Sequence, residues 1–275
     1  MDFYGAYLAD FAYICIEIKN IERYMTKVFC AAAAFFLLTA CSTPMRVTDV
    51  SGSRILIDNR YDVTGNDEAS AFLAPYRATV DSMMSPVVGR TARYMEAHRP
   101  ESTLSNLLAD ILLWGGQRFD ETLDFAVYNM GGIRAALPEG KITFGDVLDV
   151  APFENKICFL TLTGDDVKVL FEQMAAAGGE GVSRGVNLVI SKDGRLISAL
   201  VGGRELKADA KYRIATLDYL AMGNDGLVAF KKKYDVVSPQ ATENNVRFII
   251  QDYFRNICRN GTAVDSKVEG RIVIE

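Results

Sequence analysis

The sequence predicts an α+β fold of mixed layers, because three kinds of pattern are interspersed along it. The stretch from Asp124 to Tyr128 is apolar with little alternation, which is typical of a strand buried on both faces. Glu101 to Gln117 and Thr242 to Cys258 have the apolar spacing of amphipathic helices. Short strands such as Val186 to Ile190 and Tyr212 to Thr216 are separated by tight glycine turns. Interspersed strands and helices of this kind favour helices packed on a sheet.

The N-terminal region predicts a lipoprotein leader that starts at Met25. Residues 1–24 carry acidic residues and no clear turn or cap, and we interpret them as a misassigned start. In residues 25–41 a short basic region precedes an apolar run that is too short to span a bilayer. The run ends in Leu38-Thr39-Ala40-Cys41, which has the form of a lipobox, so Cys41 is predicted to be lipidated and to anchor the mature chain stably. The alternative is an ordinary cleaved signal peptide with an incidental cysteine.

Residues 42–86 are predicted to be a tether followed by a linker helix. Arg54 to Asp58 (RILID) has the composition of an edge strand. Thr64 to Asp67 supplies a turn and an N-cap for an amphipathic helix from Glu68 to Met84. Pro75 lies inside this pattern, so we expect it to kink the helix or to move its start.

Residues 87–275 contain the remaining elements. Val87 to Met95 is a strand candidate, and the helix that follows has an apolar face made of Leu104, Leu107, Leu108, Ile111 and Leu112. Thr143 is expected to cap a short helix from Phe144 to Leu148. The glycine-rich stretch Ala175 to Gly185 is interpreted as a flexible loop.

Composition argues against a polymeric nucleic-acid partner and leaves open whether two cysteines form a disulfide. The formal net charge is −5 and both signs are mixed along the chain, so there is no basic stripe for a polymeric nucleic acid. Two cysteines remain after the lipobox. Cys158 and Cys258 either pair in an oxidising envelope compartment or remain thiols, with Cys158 buried in an apolar strand.

The turn after the buried strand is the first candidate for ligand contact. Asn129-Met130-Gly131-Gly132 contains residues that tolerate positive φ and let the backbone approach a ligand, and Arg134 follows directly. A guanidinium placed there presents a planar donor fork to a base, a ribose or a carboxylate. The residues alone are equally consistent with a strand–turn–helix corner that carries a surface arginine.

Five motifs in order resemble one family. They are NMGGIR, PEGKITFGDV, APFEN, LTG at Leu162 to Gly164, and YRIATLDYLAMGNDG at Tyr212 to Gly226. This series resembles the C-terminal, substrate-binding domain of bacterial and animal 5′-nucleotidases, over most of the chain after Val87. The resemblance implies a mixed sheet with flanking helices, preceded by the linker helix.

The resemblance also implies a nucleoside site. Phe153, which Pro152 places on a stiff backbone, and Tyr219 would stack on the two faces of a base. Asn129, Arg134 and Asn155 would make polar contacts, and Asp225 would bind the ribose hydroxyls. The family has two glycines before that aspartate, and Asn224 replaces the second, which is tolerable because asparagine also adopts positive φ.

One ligand-binding arginine of the family does not align cleanly. In relatives it comes just before a motif that ESTLSNL at Glu101 to Leu107 resembles. Arg99 lies one residue further from the glutamate, with Pro100 between them, and Arg93 is the other candidate. We take Arg99 as the substrate-binding residue, the alternative being a solvated surface charge.

The family's catalytic domain, as the resemblance implies, holds two metals on histidines, aspartates and an asparagine. This chain contains a single histidine, His98, and no stretch with metal-ligand spacing, so two-metal hydrolysis is not expected from it. We expect no cofactor in this chain and divalent metals in a partner metallophosphoesterase chain. A serine triad, a phosphate-binding loop and an activated cysteine are likewise not indicated.

The sequence therefore predicts a lipid-anchored protein of the bacterial envelope, facing the periplasm, that supplies nucleoside or nucleotide binding to a split 5′-nucleotidase. Two alternatives stay open: a stand-alone nucleoside- or nucleotide-binding lipoprotein, and a structural subunit that binds nothing. Both aromatics, Arg134 and Asp225 are present, which argues against the structural subunit.

Overall fold

The computed structural model describes residues 19, 21–29, 46–61 and 65–275. The chain divides into two compact units, residues 1–65 and residues 66–275. Residues 21–29 are helical and exposed. Among the described residues, no helix has the length and apolar character that crossing a membrane requires. The lipobox Leu38 to Cys41 lies outside the described residues, so the leader and the lipidation of Cys41 remain predictions.

The predicted edge strand from Arg54 to Asp58 is wrong. These residues have no regular structure, and a 3-10 turn at Asn59–Tyr61 follows them. Within the part of the chain that the structure describes, no sheet includes this segment. A strand is stable only when a neighbour pairs with its backbone groups, so β-like composition by itself does not produce one here.

The linker helix α1 spans Asp67–Met84 and belongs to the second unit. Asn66 caps it, because its side-chain oxygen accepts a hydrogen bond from the backbone N–H of Ala69 at 2.9 Å. The helix runs through Pro75 without interruption, so the expectation that Pro75 moves its start is wrong. None of its residues is buried.

After α1 the second unit continues with sixteen further strands and helices. In chain order these are β1 (Val87–Thr91), α2 (Thr103–Gly115), β2 (Phe125–Tyr128), β3 (Gly140–Thr143), α3 (Phe144–Val150), β4 (Ile157–Thr163), α4 (Gly164–Ala176), β5 (Gly181–Val182), β6 (Val186–Ile190), β7 (Leu196–Val201), β8 (Arg204–Glu205), β9 (Lys211–Leu217), α5 (Asp218–Ala221), β10 (Tyr234–Val237), α6 (Val246–Cys258) and β11 (Ile272–Ile274). Helices α2 and α3 both begin with a capping box, which is formed by Ser102 in α2 and by Thr143 in α3. The predicted α+β class with mixed sheets and flanking helices is confirmed.

The central sheet has five strands in the order β10-β4-β9-β2-β5. Strands β2 and β9 run parallel, whereas β4 pairs antiparallel with β9 and β5 pairs antiparallel with β2. A four-stranded sheet, β11-β6-β7-β8, and the antiparallel pair β1-β3 complete the fold in the described part. The central sheet is therefore mixed. The directions of its strands decide which strand ends lie together at one edge of the sheet.

Helix α2 contributes the predicted apolar face to the core. Its five predicted core residues are all buried, namely Leu104, Leu107, Leu108, Ile111 and Leu112. The helix packs on β2 and β5 and against α6. Burial of a side chain of this size stabilises the fold by roughly 1.5–3 kcal/mol, so this face is a major reason why the sheet and the two helices form one core. Strand β2 is buried at every residue, as predicted.

The glycine-rich stretch from Ala175 to Gly185 is more ordered than the predicted flexible loop. Its residues Gly181–Val182 form β5 at the edge of the central sheet. Gly179 adopts φ of +111°, and a Cβ there would lie 2.5 Å from the carbonyl oxygen of Pro100. The glycine is thus required by a close approach to the segment that contains Arg99. Cys158 and Cys258 are not bonded to each other.

Candidate functional site

Three strand ends meet at one edge of the central sheet. Because β2 and β9 are parallel, their carboxyl ends lie together, and the residues that follow them are Asn129 and the start of α5, with Tyr219. Strand β4 is antiparallel to β9 and begins at this edge, with Ile157 opposite Leu217. Asn155 precedes that start. The topology therefore gathers residues that are far apart in sequence.

A cavity of about 200 Å³ lies at this edge. Its walls include five of the predicted binding residues together with two turn glycines, namely Asn129, Phe153, Asn155, Tyr219 and Asp225, with Gly131 and Gly132. A larger cavity of about 450 Å³ adjoins it and shares Asn155 and Tyr219. The structure thus brings together every predicted binding residue except the two arginines.

Asp225 is the polar centre of this cavity. Its Oδ2 accepts a hydrogen bond from Asn129 Nδ2 at 2.6 Å, and its Oδ1 accepts one from the Tyr219 hydroxyl at 2.8 Å. Asp225 itself adopts φ of +54°, between Gly223 and Gly226, which are also at positive φ. Asn224 is not in this region, so the expectation that it adopts positive φ is wrong. Its side chain instead donates to the Tyr219 carbonyl.

The turn after β2 works differently from the prediction. Residues Met130–Gly132 form a 3-10 turn, and neither Gly131 nor Gly132 has positive φ, so the turn does not use the positive φ that these residues tolerate. A Cβ on Gly132 would lie 2.5 Å from Asn129 Oδ1. Gly132 is therefore needed to make room for the Asn129 side chain. That same oxygen is buried, and the described residues provide it with no hydrogen-bond partner.

The two aromatic rings line the cavity while remaining accessible. Phe153 is 49% exposed and Tyr219 is 40% exposed. Large apolar rings with this exposure at a cavity wall are suited to contact with a flat ligand. The hydrogen bond and the nearby charge of Asp225 raise the pKa of the Tyr219 hydroxyl, so this hydroxyl stays protonated and acts as a donor to Asp225.

The predicted arginines are not part of the cavity wall. Arg134 is exposed, and its guanidinium makes a long contact of 3.4 Å with the Gly131 carbonyl. Arg93, the alternative candidate, forms a bidentate pair with Asp265 at 2.6 and 3.0 Å. Arg99 is paired with Glu180. Among the three, Arg134 has no ion pair in the described residues.

Glu180 was not identified from the sequence. Its carboxylate accepts hydrogen bonds from Arg99 and from the backbone N–H of Met130, the residue directly after Asn129. Burial raises the pKa of Glu180, while the Met130 N–H and the charge of Arg99 act in the opposite direction. A glutamate between two glycines in an apparent loop gives no local sign of burial, because β5 pairs with a strand more than fifty residues away.

The residues present do not fit a metal. Among the side chains that the structure describes, no group of three or more histidine, cysteine, aspartate or glutamate residues is placed to hold a metal ion. Asp225 is already engaged by two donors, and Glu180 by an arginine. We therefore derive no step of the function through a metal on this chain.

Comparison with known proteins gives a consistent result. A family model described as 5′-nucleotidase, C-terminal domain, matches residues 83–232. The 5′-nucleotidase of Vibrio cholerae is 34% identical over 107 residues, covering 38% of this chain and 19% of that protein. Endonuclease YhcR of Bacillus subtilis is 30% identical over 191 residues, covering 66% of this chain and 15% of that protein.

Solved structures show the same partial match. The crystal structure of a 5′-nucleotidase precursor from Thermus thermophilus superposes with a TM-score of 0.65 and 26% identity, over 76% of this chain and 43% of that one. The NAD nucleotidase of Haemophilus influenzae, at a TM-score of 0.57 and 18% identity, shares the fold. The chain thus spans less than half the length of these relatives.

Proposed function

Because the chain belongs to the family of the 5′-nucleotidase C-terminal domain, we propose that it is the nucleoside- or nucleotide-binding subunit of a split 5′-nucleotidase. The observation that carries the proposal is the cavity around Asp225, where two exposed rings and two amide side chains converge. A nucleoside has a flat base with a polar edge and a ribose, and these side chains are of the types that contact each part. The catalytic metals would belong to another chain.

The proposed binding mode uses each group for one part of the ligand. The base stacks between Phe153 and Tyr219. An ionised carboxylate has about four acceptor positions, and Asp225 uses two of them for Asn129 and Tyr219. The others accept hydrogen bonds from the ribose hydroxyls. Asn155 and Asn129, which both line the cavity, complete the polar contacts, and Arg134 approaches from outside the cavity.

Replacing either ring by alanine is expected to weaken nucleoside binding roughly 5- to 100-fold, because stacking contributes about 1–3 kcal/mol per base. The measurement is calorimetric titration of the chain from Ser42 onward with adenosine and AMP, for Phe153→Ala and Tyr219→Ala. Tyr94→Ala is the matched control, since Tyr94 is also an exposed aromatic but lies outside the cavity. Equal affinities for all three variants would contradict the stacking arrangement.

The surface proposed for the catalytic chain is the exposed face of α1. Phe72, Tyr76, Val80 and Met83 recur at helical spacing and are all more than half exposed. An apolar stripe of this kind favours a protein interface. Since this chain covers only 15% of one relative and 43% of another, we propose that a metallophosphoesterase chain covers the stripe on the side that carries Arg134.

Mixing the soluble chain with a metallophosphoesterase that it retains in a pull-down is expected to raise AMP hydrolysis above that of either protein alone. Tyr76→Asp places a charge in the stripe and is expected to abolish both retention and the gain. Arg77→Asp is the control on the same helix and outside the stripe. If the pull-down recovers no phosphoesterase and mixing gives no gain of activity, the split-enzyme proposal is contradicted and the stand-alone binding protein becomes the favoured function.

The predicted lipidation of Cys41 indicates where in the cell this function would take place. A lipidated Cys41 would hold the site at the membrane surface of a bacterial envelope, and the tether before α1 would let it reach a soluble or anchored partner. We propose a periplasm-facing anchor because no acidic run follows Cys41.

A further inference from the structure

We infer that Glu180 sets the charge preference of this site: by neutralising Arg99 it directs the cavity toward the uncharged nucleoside and away from the 5′-phosphate. The inference rests on the proposed nucleoside site. It makes Glu180 a specificity-determining residue that acts through Arg99 and through the turn beside it. Binding of the phosphate would then fall to groups outside this pair, such as Arg134 or the partner chain.

The contacts of Glu180 carry the first step. Its side chain is 2% exposed, whereas the Arg99 side chain is 42% exposed. One carboxylate oxygen accepts from Arg99 and the other accepts from the N–H of Met130. A buried carboxylate is stable only when it is paired and hydrogen-bonded, so Glu180 holds the Arg99 guanidinium firmly at its own position.

The backbone fixes this arrangement from both sides. Gly179 packs directly on Pro100, with no room for a Cβ, so the residues before Glu180 and after Arg99 are in contact. Gly181 is equally confined, since a Cβ there would lie 2.9 Å from the Tyr128 carbonyl and 3.0 Å from the Ser105 carbonyl. Arg99 and Glu180 therefore meet because the two segments that carry them are packed together.

The charges near the cavity decide the second step. Asp225 and Glu180 lie beside the same turn, because Asp225 accepts a hydrogen bond from the Asn129 side chain and Glu180 accepts one from the N–H of the next residue, Met130. The charge of Asp225 accordingly adds to burial in raising the pKa of Glu180. The groups around Glu180 are thus one cation, Arg99, which it neutralises, and one anion, Asp225. A phosphate dianion that approaches this turn meets two carboxylates and the Arg99 guanidinium that Glu180 already shares, while Arg134 lies outside the cavity wall. Like charges at such a site disfavour the anionic ligand.

The test compares the affinity for AMP with the affinity for adenosine in four forms of the soluble chain. Glu180→Gln keeps the shape and can accept the Met130 N–H, but it frees Arg99. It is expected to shift the affinity ratio toward AMP about tenfold, the size expected when one nearby like charge is removed. Glu172→Gln, which removes an exposed carboxylate on α4, is expected to leave the ratio unchanged. Adding Arg99→Gln to Glu180→Gln is expected to cancel the gain.

Each result decides the matter. An unchanged ratio in Glu180→Gln, or a ratio that shifts toward adenosine, overturns the inference, the latter because it would mean that Glu180 presents Arg99 to the phosphate. Equal loss of both affinities together with a lower melting temperature indicates a structural role and also overturns it. Wild-type protein that is folded and binds neither ligand overturns the proposed function itself, which separates the two failures.

Discussion

Replacing Asp225 with alanine is expected to reduce nucleoside affinity at least 100-fold, the largest loss from any single substitution in the cavity. The substitution removes the acceptor that we propose for the ribose hydroxyls. It also frees Tyr219 and Asn129, whose side chains both donate to this carboxylate. Hydrogen bonds to a charged group contribute roughly 1.5–3 kcal/mol each, so losing two ligand contacts together with the alignment of a ring accounts for the effect.

Asp225→Asn is the matched variant for this prediction. It keeps the shape but turns one acceptor into a donor, so the Tyr219 hydroxyl has to accept instead of donating and fewer acceptor positions are left for the ligand. We expect an intermediate loss, measured by calorimetric titration with adenosine. If the Asp225→Ala variant bound adenosine as well as wild type and had an unchanged melting temperature, the cavity would not be the nucleoside site.

The second large effect concerns stability. Gly164→Ala is expected to lower the free energy of unfolding by about 3 kcal/mol, the upper part of the usual range for overpacking. A Cβ at Gly164 would overlap the Lys207 carbonyl oxygen and would lie 2.7 Å from its carbon. These are backbone atoms, which cannot turn away. Gly164 also donates its N–H to the Ala210 carbonyl at 2.9 Å, so moving it breaks the junction between β4 and α4.

Denaturant unfolding followed by circular dichroism measures this loss. Gly52→Ala is the control, because no atom lies within 4 Å of a Cβ at that position and its φ does not demand glycine. The control is expected to unfold at the wild-type denaturant concentration. If Gly164→Ala unfolded there as well, Lys207 and its neighbours would have to move easily, and the close packing of that loop on α4 would be wrong.

The features that could be predicted from the sequence depend on short-range patterns. Thr143 caps α3 because its side chain and that of Asp146 bond reciprocally within one turn. The apolar face of α2 and the fully buried β2 follow from spacing and from unbroken apolar character. The order of the motifs indicated the family, and with it Phe153 and Tyr219 as walls of one cavity.

Errors arose where a local pattern has more than one solution. RILID has strand composition but no neighbouring strand to pair with, so it is irregular. Gly132 tolerates positive φ, yet a glycine is needed there because a side chain would collide with that of Asn129. Both outcomes depend on atoms outside the local backbone pattern. Secondary-structure propensity contains no information about those atoms.

By itself, the sequence determined the class of fold, the start of α3 at its Thr143 cap, the buried strand and the identity of the cavity residues, since each depends on residues within one or two turns or on an ordered motif. Only the tertiary structure decided how they meet. The parallel pairing of β2 with β9 brings Asn129 to Asp225, and the pairing of β5 with β2 buries Glu180 beside Arg99. The physical reason is that a carboxylate's partners and its burial are set by strand pairing across long sequence separations, which no local pattern encodes.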